Sequence, residues 1–167
     1  KLMPGYRVDK VQGSFSDPSK NAHFPIQDYG LIKQPKFSAA YSPWRTATVY
    51  ANWGRTFQVG AGAAAYRGNA NVLRPSINDG WETGVKWAPL PWLDGRLAAW
   101  RQDASDEVKR KLNDPAGDSE NVGKTRREGI DLQLNAHGGN HAGWIAYARQ
   151  RSRIVEPDPA APATLGK

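Results

Sequence analysis

The sequence predicts an all-β chain, about seven antiparallel strands forming one segment of a larger transmembrane β-barrel. Three observations predict it. Apolar and polar residues alternate with a period of two over several short stretches, the links between those stretches are alternately short and long, and tryptophan and tyrosine gather at the ends of the stretches. A strand turns successive side chains to opposite faces, and a barrel wall needs one face for lipid and the other for its wet interior.

Along the chain, the first expected strand runs from Pro4 to Val11 and the second from Lys36 to Ser42. Between Thr46 and Trp53, the apolar set Ala47, Val49, Ala51 and Trp53 opposes Thr46, Thr48, Tyr50 and Asn52. The clearest alternation follows, with Trp81, Thr83, Val85 and Trp87 against Glu82, Gly84 and Lys86. From Arg96 to Asp103, Leu97 and Ala99 compete with Ala98 and Trp100 for the apolar side, so a strand is predicted there without an orientation. Ile130, Leu132 and Leu134 then oppose Asp131, Gln133 and Asn135, and near the end Trp144, Ala146 and Ala148 oppose Ile145, Tyr147 and Arg149. These spacings are those of strands and not of helices.

The links carry as much information. Ser42-Pro43-Trp44-Arg45, the run from Ala88 to Gly95 and His137-Gly138-Gly139-Asn140-His141 are short and rich in Pro, Gly and Asn, the residues of tight turns. Long polar stretches at about 12–34, 55–80 and 104–121 separate them. Outer-membrane barrels have this alternation, with tight periplasmic turns and long outer loops. Tyr41, Trp44, Trp53, Trp81, Trp87, Trp92 and Trp144 fall near strand ends, where amphipathic rings suit the headgroup level of a bilayer.

Composition bounds the function. The 167 residues include no cysteine and carry a formal charge of +7, which excludes a disulfide scaffold and a cysteine-ligated zinc site. The basic balance points to an anionic partner: nucleic acid, lipid headgroups or phosphates, or an acidic small molecule. No stretch approaches the roughly 18 consecutive apolar residues of a membrane-spanning helix. The mean hydropathy of −0.69 does not count against a barrel, whose alternating strands give a weak hydropathy signal. Lys1 is not an initiator Met and no apolar leader core follows it, so the natural N-terminus is expected upstream, removed by processing or truncation.

Three segments together resemble a known family. Tyr50-Ala51-Asn52-Trp53-Gly54-Arg55-Thr56-Phe57, then Leu73-Arg74-Pro75-Ser76, then Trp81-Glu82-Thr83-Gly84-Val85-Lys86 are similar in order and spacing to TonB-dependent receptors, although Ser76 stands where many members have Glu. The likeness continues through Asp94-Gly95-Arg96-Leu97 and the run from Asn121 to Leu132, and covers about two thirds of the chain, from Phe37 to Val155. Gly84 and Gly129 have a local reason as well, since they remove side chains where neighbouring strands or the barrel's contents come close.

The resemblance implies a barrel of about 22 strands, an N-terminal plug domain and a TonB box. Residues 1–167 would be part of the barrel, without the plug. Seven strands alone leave two unpaired edges, and the run Glu156-Pro157-Asp158-Pro159-Ala160-Ala161-Pro162 resembles a loop before a further strand, so the closing strands are expected after Lys167. The implied activity is energy-dependent uptake of a ferric siderophore or similar chelate across the bacterial outer membrane. It needs no catalytic residue, no metal held by the protein and no cofactor. The implied partners are TonB, acting through the plug, together with the chelate and outer-membrane lipid and lipopolysaccharide. Candidate ligand-binding residues are Phe57, Tyr66, Arg67 and Arg74 in the long Arg55–Gly80 stretch, because aromatic faces with guanidinium groups suit anionic, ring-bearing chelates.

Competing motifs are weaker. The stretch from Gly117 to Thr125 resembles a phosphate-binding loop, but five residues separate its glycines where that pattern has four, and a strand is expected after it. Gly60-Ala61-Gly62-Ala63-Ala64-Ala65 lies in no βαβ unit, His137 and His141 sit in a turn, and Asp103, Asp106 and Glu107 lie beside Lys109, Arg110 and Lys111 as solvated charge. Two further readings stay open. One is a soluble basic β-domain gripping nucleic acid through Lys109-Arg110-Lys111, Lys124-Thr125-Arg126-Arg127 and Arg149-Gln150-Arg151-Ser152-Arg153. It would need cations and aromatics together on one exposed sheet face, and no nucleic acid is expected. The other is a passive porin, which differs from the receptor in lacking a plug.

Overall fold

The computed structural model describes residues 1–26, 28–59, 74–110 and 119–157. Eleven strands follow one another there: β1 (Leu2–Lys10), β2 (Ser14–Asp17), β3 (Ala22–Pro25), β4 (Leu31–Trp44), β5 (Ala47–Gln58), β6 (Ser76–Leu90), β7 (Leu93–Ser105), β8 (Val108–Arg110), β9 (Ser119–Asn121), β10 (Lys124–Gly138) and β11 (His141–Glu156). Seven of them form one antiparallel sheet in the order β1-β4-β5-β6-β7-β10-β11. The other four make two small hairpins, β2 with β3 and β8 with β9. A single 3₁₀ turn, Pro18–Lys20, joins β2 to β3, capped by Asp17 accepting from the Ser19 amide. Among the described residues no helix is long and apolar enough to cross a membrane, which says nothing against crossing with strands.

All seven expected strands are present, and most run further than alternation alone indicates. β6 begins at Ser76 and β5 continues to Gln58, inside the stretch expected as a long loop. The backbone ladder does not depend on side-chain polarity, so pairing continues after both faces have become polar and the period-two signal has gone. Two-residue turns at 45–46, 91–92 and 139–140 close one end of the sheet. In the last of them Gly139 adopts φ +57°, a conformation that glycine takes without cost. The long links leave from the opposite end.

Directly opposed residues share a face, so register assigns every side. One row runs Phe37, Trp53, Trp81, Arg101, Glu128, Arg151. Four residues nearer the turns, on the same face, stand Tyr41, Val49, Val85, Leu97, Leu132 and Tyr147. The undecided strand is thereby oriented: Leu97 and Ala99 join the apolar face, while Ala98 and Trp100 lie on the polar one. The last strand is settled against its sequence pattern. Ile145 and Tyr147 pair with Leu134 and Leu132 on the apolar face, and Trp144, Ala146 and Ala148 face the polar side.

The apolar face has nothing covering it. Trp53, Trp81, Leu97, Ile130, Ile145 and Tyr147 are all exposed, and the buried apolar residues are only Ile32, Ala98 and Ala104 among the described ones. Such a surface is anomalous in water and is what a bilayer requires.

The upper border of this apolar band is not parallel to the register rows. On the apolar face, charge begins beyond Val8 in β1, Pro35 in β4, Trp53 in β5, Trp81 in β6, Ala99 in β7, Ile130 in β10 and Tyr147 in β11. From Val8 to Tyr147 the border moves by eight residues over six strand-to-strand steps. With about 3.3 Å per residue and about 4.8 Å between strands, the slope is about 40°. Strands of membrane barrels tilt by about 35 to 45°, so a flat membrane surface crosses this sheet along that diagonal.

Candidate functional site

The polar face is held together by hydrogen-bonded side chains that run across strands. At its centre Tyr50 of β5 donates its hydroxyl hydrogen to Glu82 of β6 at 2.7 Å. Arg96 of β7 donates to the Tyr50 oxygen at 2.9 Å and to Glu82 at 2.6 Å. Lys86 Nζ lies 5.5 Å from the centre of the Tyr50 ring and the Arg96 guanidinium carbon 5.8 Å, both within cation–π reach. Two cations thus share one aromatic face, and Arg96 also holds the carboxylate. Replacing Glu82 with Gln is expected to cost about 1 kcal/mol, read as an earlier unfolding midpoint in denaturant, because Arg96 loses the carboxylate it is paired with.

Glycines make room for this layer. A Cβ on Gly84 would lie 2.7 Å from the Tyr50 hydroxyl oxygen, and one on Gly129 would lie 2.8 Å from the Trp100 ring. The close approach expected at both positions is therefore that of the neighbouring strand's carbonyl, Leu97 at 2.5 Å and Arg149 at 2.8 Å, together with a cross-strand aromatic ring lying over a bare backbone, as aromatic rings do over sheet glycines elsewhere. Toward the turns, Asn135 donates to Asp94 at 2.7 Å and Gln133 to Asn135 at 3.1 Å. These residues, with Arg45, Thr48, Lys86 and Arg96, line an open groove of about 370 Å³. Nearer the long links, Lys36, Asn52, Asn78, Glu82, Trp100 and Gln102 line a second groove of about 440 Å³. The wall is wet and amphoteric, with donors and acceptors of both charges.

At the roots of the long links a second cluster ties two neighbouring connections together. The Arg74 amide donates to the Asn121 side-chain oxygen at 3.1 Å, and the Asn121 amide group donates back to the Arg74 carbonyl at 3.2 Å and to the Asp106 carbonyl at 2.7 Å. Arg74 also pairs with Asp106 at 2.7 Å, whose φ of +51° marks the bend out of β7. Glu107 accepts from Thr125 and Arg127. Burial works against its charge, but the Thr125 hydroxyl and the Arg127 guanidinium outweigh it and hold the carboxyl below the usual range.

A depressed folded-state value means that the ionised form favours the fold. That contribution is complete above the ordinary glutamate value, near pH 4.3, and is lost as the pH falls through the lower folded value. The Val122 amide, which donates to the Glu107 carbonyl at 2.9 Å, is accordingly expected to keep its hydrogen-exchange protection from pH 7 to 5 and to lose it in stronger acid. In Glu107→Gln that acid-dependent step should vanish.

The four candidate ligand residues have different fates. Phe57 sits at the outer end of β5 opposite Ile77, on the same face as Trp53 and Arg55. Arg74 is exposed but engaged by Asp106 and Asn121. Tyr66 and Arg67 lie outside the described residues, as does Gly60–Ala65. Asp103, Asp106 and Glu107 each meet an arginine, an arrangement of ion pairs. His137 and His141 flank the β10–β11 turn, and no metal-binding group of side chains occurs among the described residues. A strand, β10, follows Gly123, where a phosphate-binding loop would open a helix. The Tyr50–Glu82–Arg96 cluster was not singled out from sequence. Its members were visible on the polar sides of their strands, but only register shows that they meet.

The comparisons with known proteins agree with this geometry. The model of the family described as TonB dependent receptor-like, beta-barrel matches residues 1–166. No curated protein sequence matches. Among solved structures, the FrpB iron transporter of Neisseria meningitidis is similar in its F5-1 variant, with TM-score 0.71 and 12% identity over 99% of this chain and 26% of that one. Its F3-3 variant gives TM-score 0.68 and 12% identity over 91% and 23%. The alcaligin outer-membrane receptor FauA of Bordetella pertussis gives 0.65 and 18% over 95% and 28%. The chain spans about a quarter of the length of these structures, and at such identities the likeness is one of fold. The family is one of outer-membrane receptors and transporters. With its seven-stranded antiparallel sheet, its tilted apolar band and the family match over nearly all of its length, this chain belongs to the TonB-dependent receptor β-barrels.

Proposed function

We propose that the chain is part of the barrel wall of an importer in the Gram-negative outer membrane that takes up a ferric siderophore or similar chelate, driven by TonB through a plug domain. No covalent chemistry is involved. The observation that carries this reading is the two-sided sheet: a bare apolar face for lipid, a hydrogen-bonded polar face for a lumen, and all long connections at one end. The names of the similar structures, an iron transporter and an alcaligin receptor, favour an iron chelate as cargo. Ligand contact is assigned to the long outer connections, with Phe57, Tyr66, Arg67 and Arg74 as contributors. Arg74 does so from a position already anchored by Asp106, which orders the base of its connection.

The test is uptake of radiolabelled ferric chelate by cells producing the full-length protein under iron limitation. TonB-dependent uptake is expected, falling about tenfold in a Tyr66→Ala, Arg67→Ala double variant that loses one ring and one guanidinium contact. Uptake that persists without TonB would convert the reading to a passive porin. A protein recovered in the soluble fraction without detergent would revive the basic nucleic-acid-binding domain.

A further inference from the structure

Arg74, Asp106 and Asn121 stand where the β6–β7 ladder stops. Its last pair is Ile77 with Ser105. Beyond that pair, β6 is entered from one long connection, while β7 leads into another that reaches β10 through the β8–β9 hairpin. The four strands from which these connections leave, β5, β6, β7 and β10, have paired neighbours on both sides. The junction therefore lies within the wall and not at its edge.

A single carboxamide spans the gap. Asn121 Oδ1 accepts from the Arg74 amide at 3.1 Å, and Nδ2 donates to the Arg74 carbonyl at 3.2 Å and to the Asp106 carbonyl at 2.7 Å. Two residues facing each other in a hydrogen-bonded pair of antiparallel strands exchange the same two bonds. Here a side chain supplies what a peptide unit would, and its second hydrogen reaches the other connection. Asparagine offers an acceptor and two donors in one plane, whereas aspartate, of the same size, offers only acceptors. Both partners are prepared locally. Pro75 biases the residue before it toward extended backbone, and Asp106 adopts φ +51°, a left-handed conformation in which Asp and Asn are enriched among non-glycine residues. The Arg74 guanidinium closes the ring on the Asp106 carboxylate at 2.7 Å. The next residue, Glu107, fixes this junction to β10. Its carbonyl accepts from Val122 at 2.9 Å, its amide donates to Gly123 at 3.3 Å, and its carboxylate accepts from Thr125 and Arg127.

We propose that Asn121 makes the roots of the β5–β6 and β7–β10 connections one cooperative unit, so that they open and close together. The proposal rests on the importer reading above, which sets both connections on the ligand-facing side, and adds a coupling between them. A cargo anion drawn to Arg74 acts on the root of the neighbouring connection through Asn121 and Asp106. The ladder of β6 and β7 is in effect continued outward by a side chain, past the point where the two backbones have separated.

The test is amide hydrogen exchange of the full-length protein in detergent micelles, read at the Arg74 and Val122 amides, with heat-dependent mobility on gels verifying the folded barrel. Glu107→Ala, which strips the bonds to Thr125 and Arg127, is expected to speed exchange about tenfold at both amides, although the bonds of Arg74 go to Asn121 and Asp106. Asn121→Asp keeps an oxygen for the Arg74 amide but loses both donors. In that variant Arg74 should exchange about tenfold faster and cease to respond to Glu107→Ala, while Val122 should still respond. Unchanged protection of Arg74 in Asn121→Asp would reduce the junction to a local bond and overturn the coupling. An Arg74 amide that Glu107→Ala fails to speed would overturn it as well, and that arm needs no change at Asn121, so it decides the matter even if Asn121→Asp does not fold. The measurement uses no cargo. A protein that imports no chelate yet shows the shared opening would lose the import reading and keep the coupling, and an importer whose two amides open independently would do the reverse.

Discussion

Arginine placed at Val85 is expected to destabilise the barrel by roughly 2 to 4 kcal/mol, the cost of a cation near the bilayer midplane. Denaturant unfolding of the full-length protein in lipid vesicles would measure it. The more demanding expectation concerns position along one row. Val85, Leu97, Leu132 and Tyr147 are linked by register on one face, yet the tilted membrane border places Val85 four residues below the last apolar residue of its strand, Leu132 two below, and Tyr147 at the border itself. Arginine should therefore cost most at Val85, less at Leu132 and only about 0 to 1 kcal/mol at Tyr147. Arginine at Gln133, on the polar face, should cost little. Equal costs along the row would refute the tilt, and equal costs at Leu132 and Gln133 would refute the two faces.

Alanine at Gly84 is expected to cost about 1 to 3 kcal/mol, the range for overpacking a fitted site. Its Cβ would lie 2.5 Å from the Leu97 carbonyl oxygen and 2.7 Å from the Tyr50 hydroxyl. The second contact can be relieved, because a side chain can swing away or be shortened. The first cannot, because it belongs to the paired strand. A Gly84→Ala, Tyr50→Ala double variant should recover only part of the loss attributable to the Gly84 change, as a double-mutant cycle would report. Full recovery would mean that the Tyr50 ring, and not the approach of β7, is what demands glycine. Trp100→Ala should likewise recover only part of the cost of Gly129→Ala, whose Cβ meets the Arg149 carbonyl at 2.8 Å as well as the Trp100 ring.

Whether a strand is visible in a sequence depends on what each face meets. The segments around Val49, Val85 and Leu132 were legible because lipid on one side and water on the other impose opposite demands on neighbouring residues. Ser76 to Gly80 and Lys124 to Glu128 extend the same strands above the lipid, where both sides are polar and no alternation survives. The orientation of β7 was undecidable locally, since Ala98 and Trp100 are as apolar as Leu97 and Ala99. The reason is on the neighbouring strand: Gly129 leaves a vacancy on the polar face, and Trp100 fills it.

Sequence alone established the class of fold, the seven strands of the main sheet, the end from which the long connections leave and the family, since these are written in patterns within single strands and in their order. The two small hairpins, β2 with β3 and β8 with β9, lie in stretches expected as loops, because strands of three or four residues are too short for alternation to show. The register was left to the tertiary structure, and with it everything that arises between strands. Tyr50, Glu82 and Arg96 lie far apart in the chain and meet only through hydrogen-bonded pairing. Arg74 finds Asp106 and Asn121 across two connections. The slope of the membrane border exists only once seven strands are aligned, because a one-residue slip in pairing would send each side chain to the opposite face.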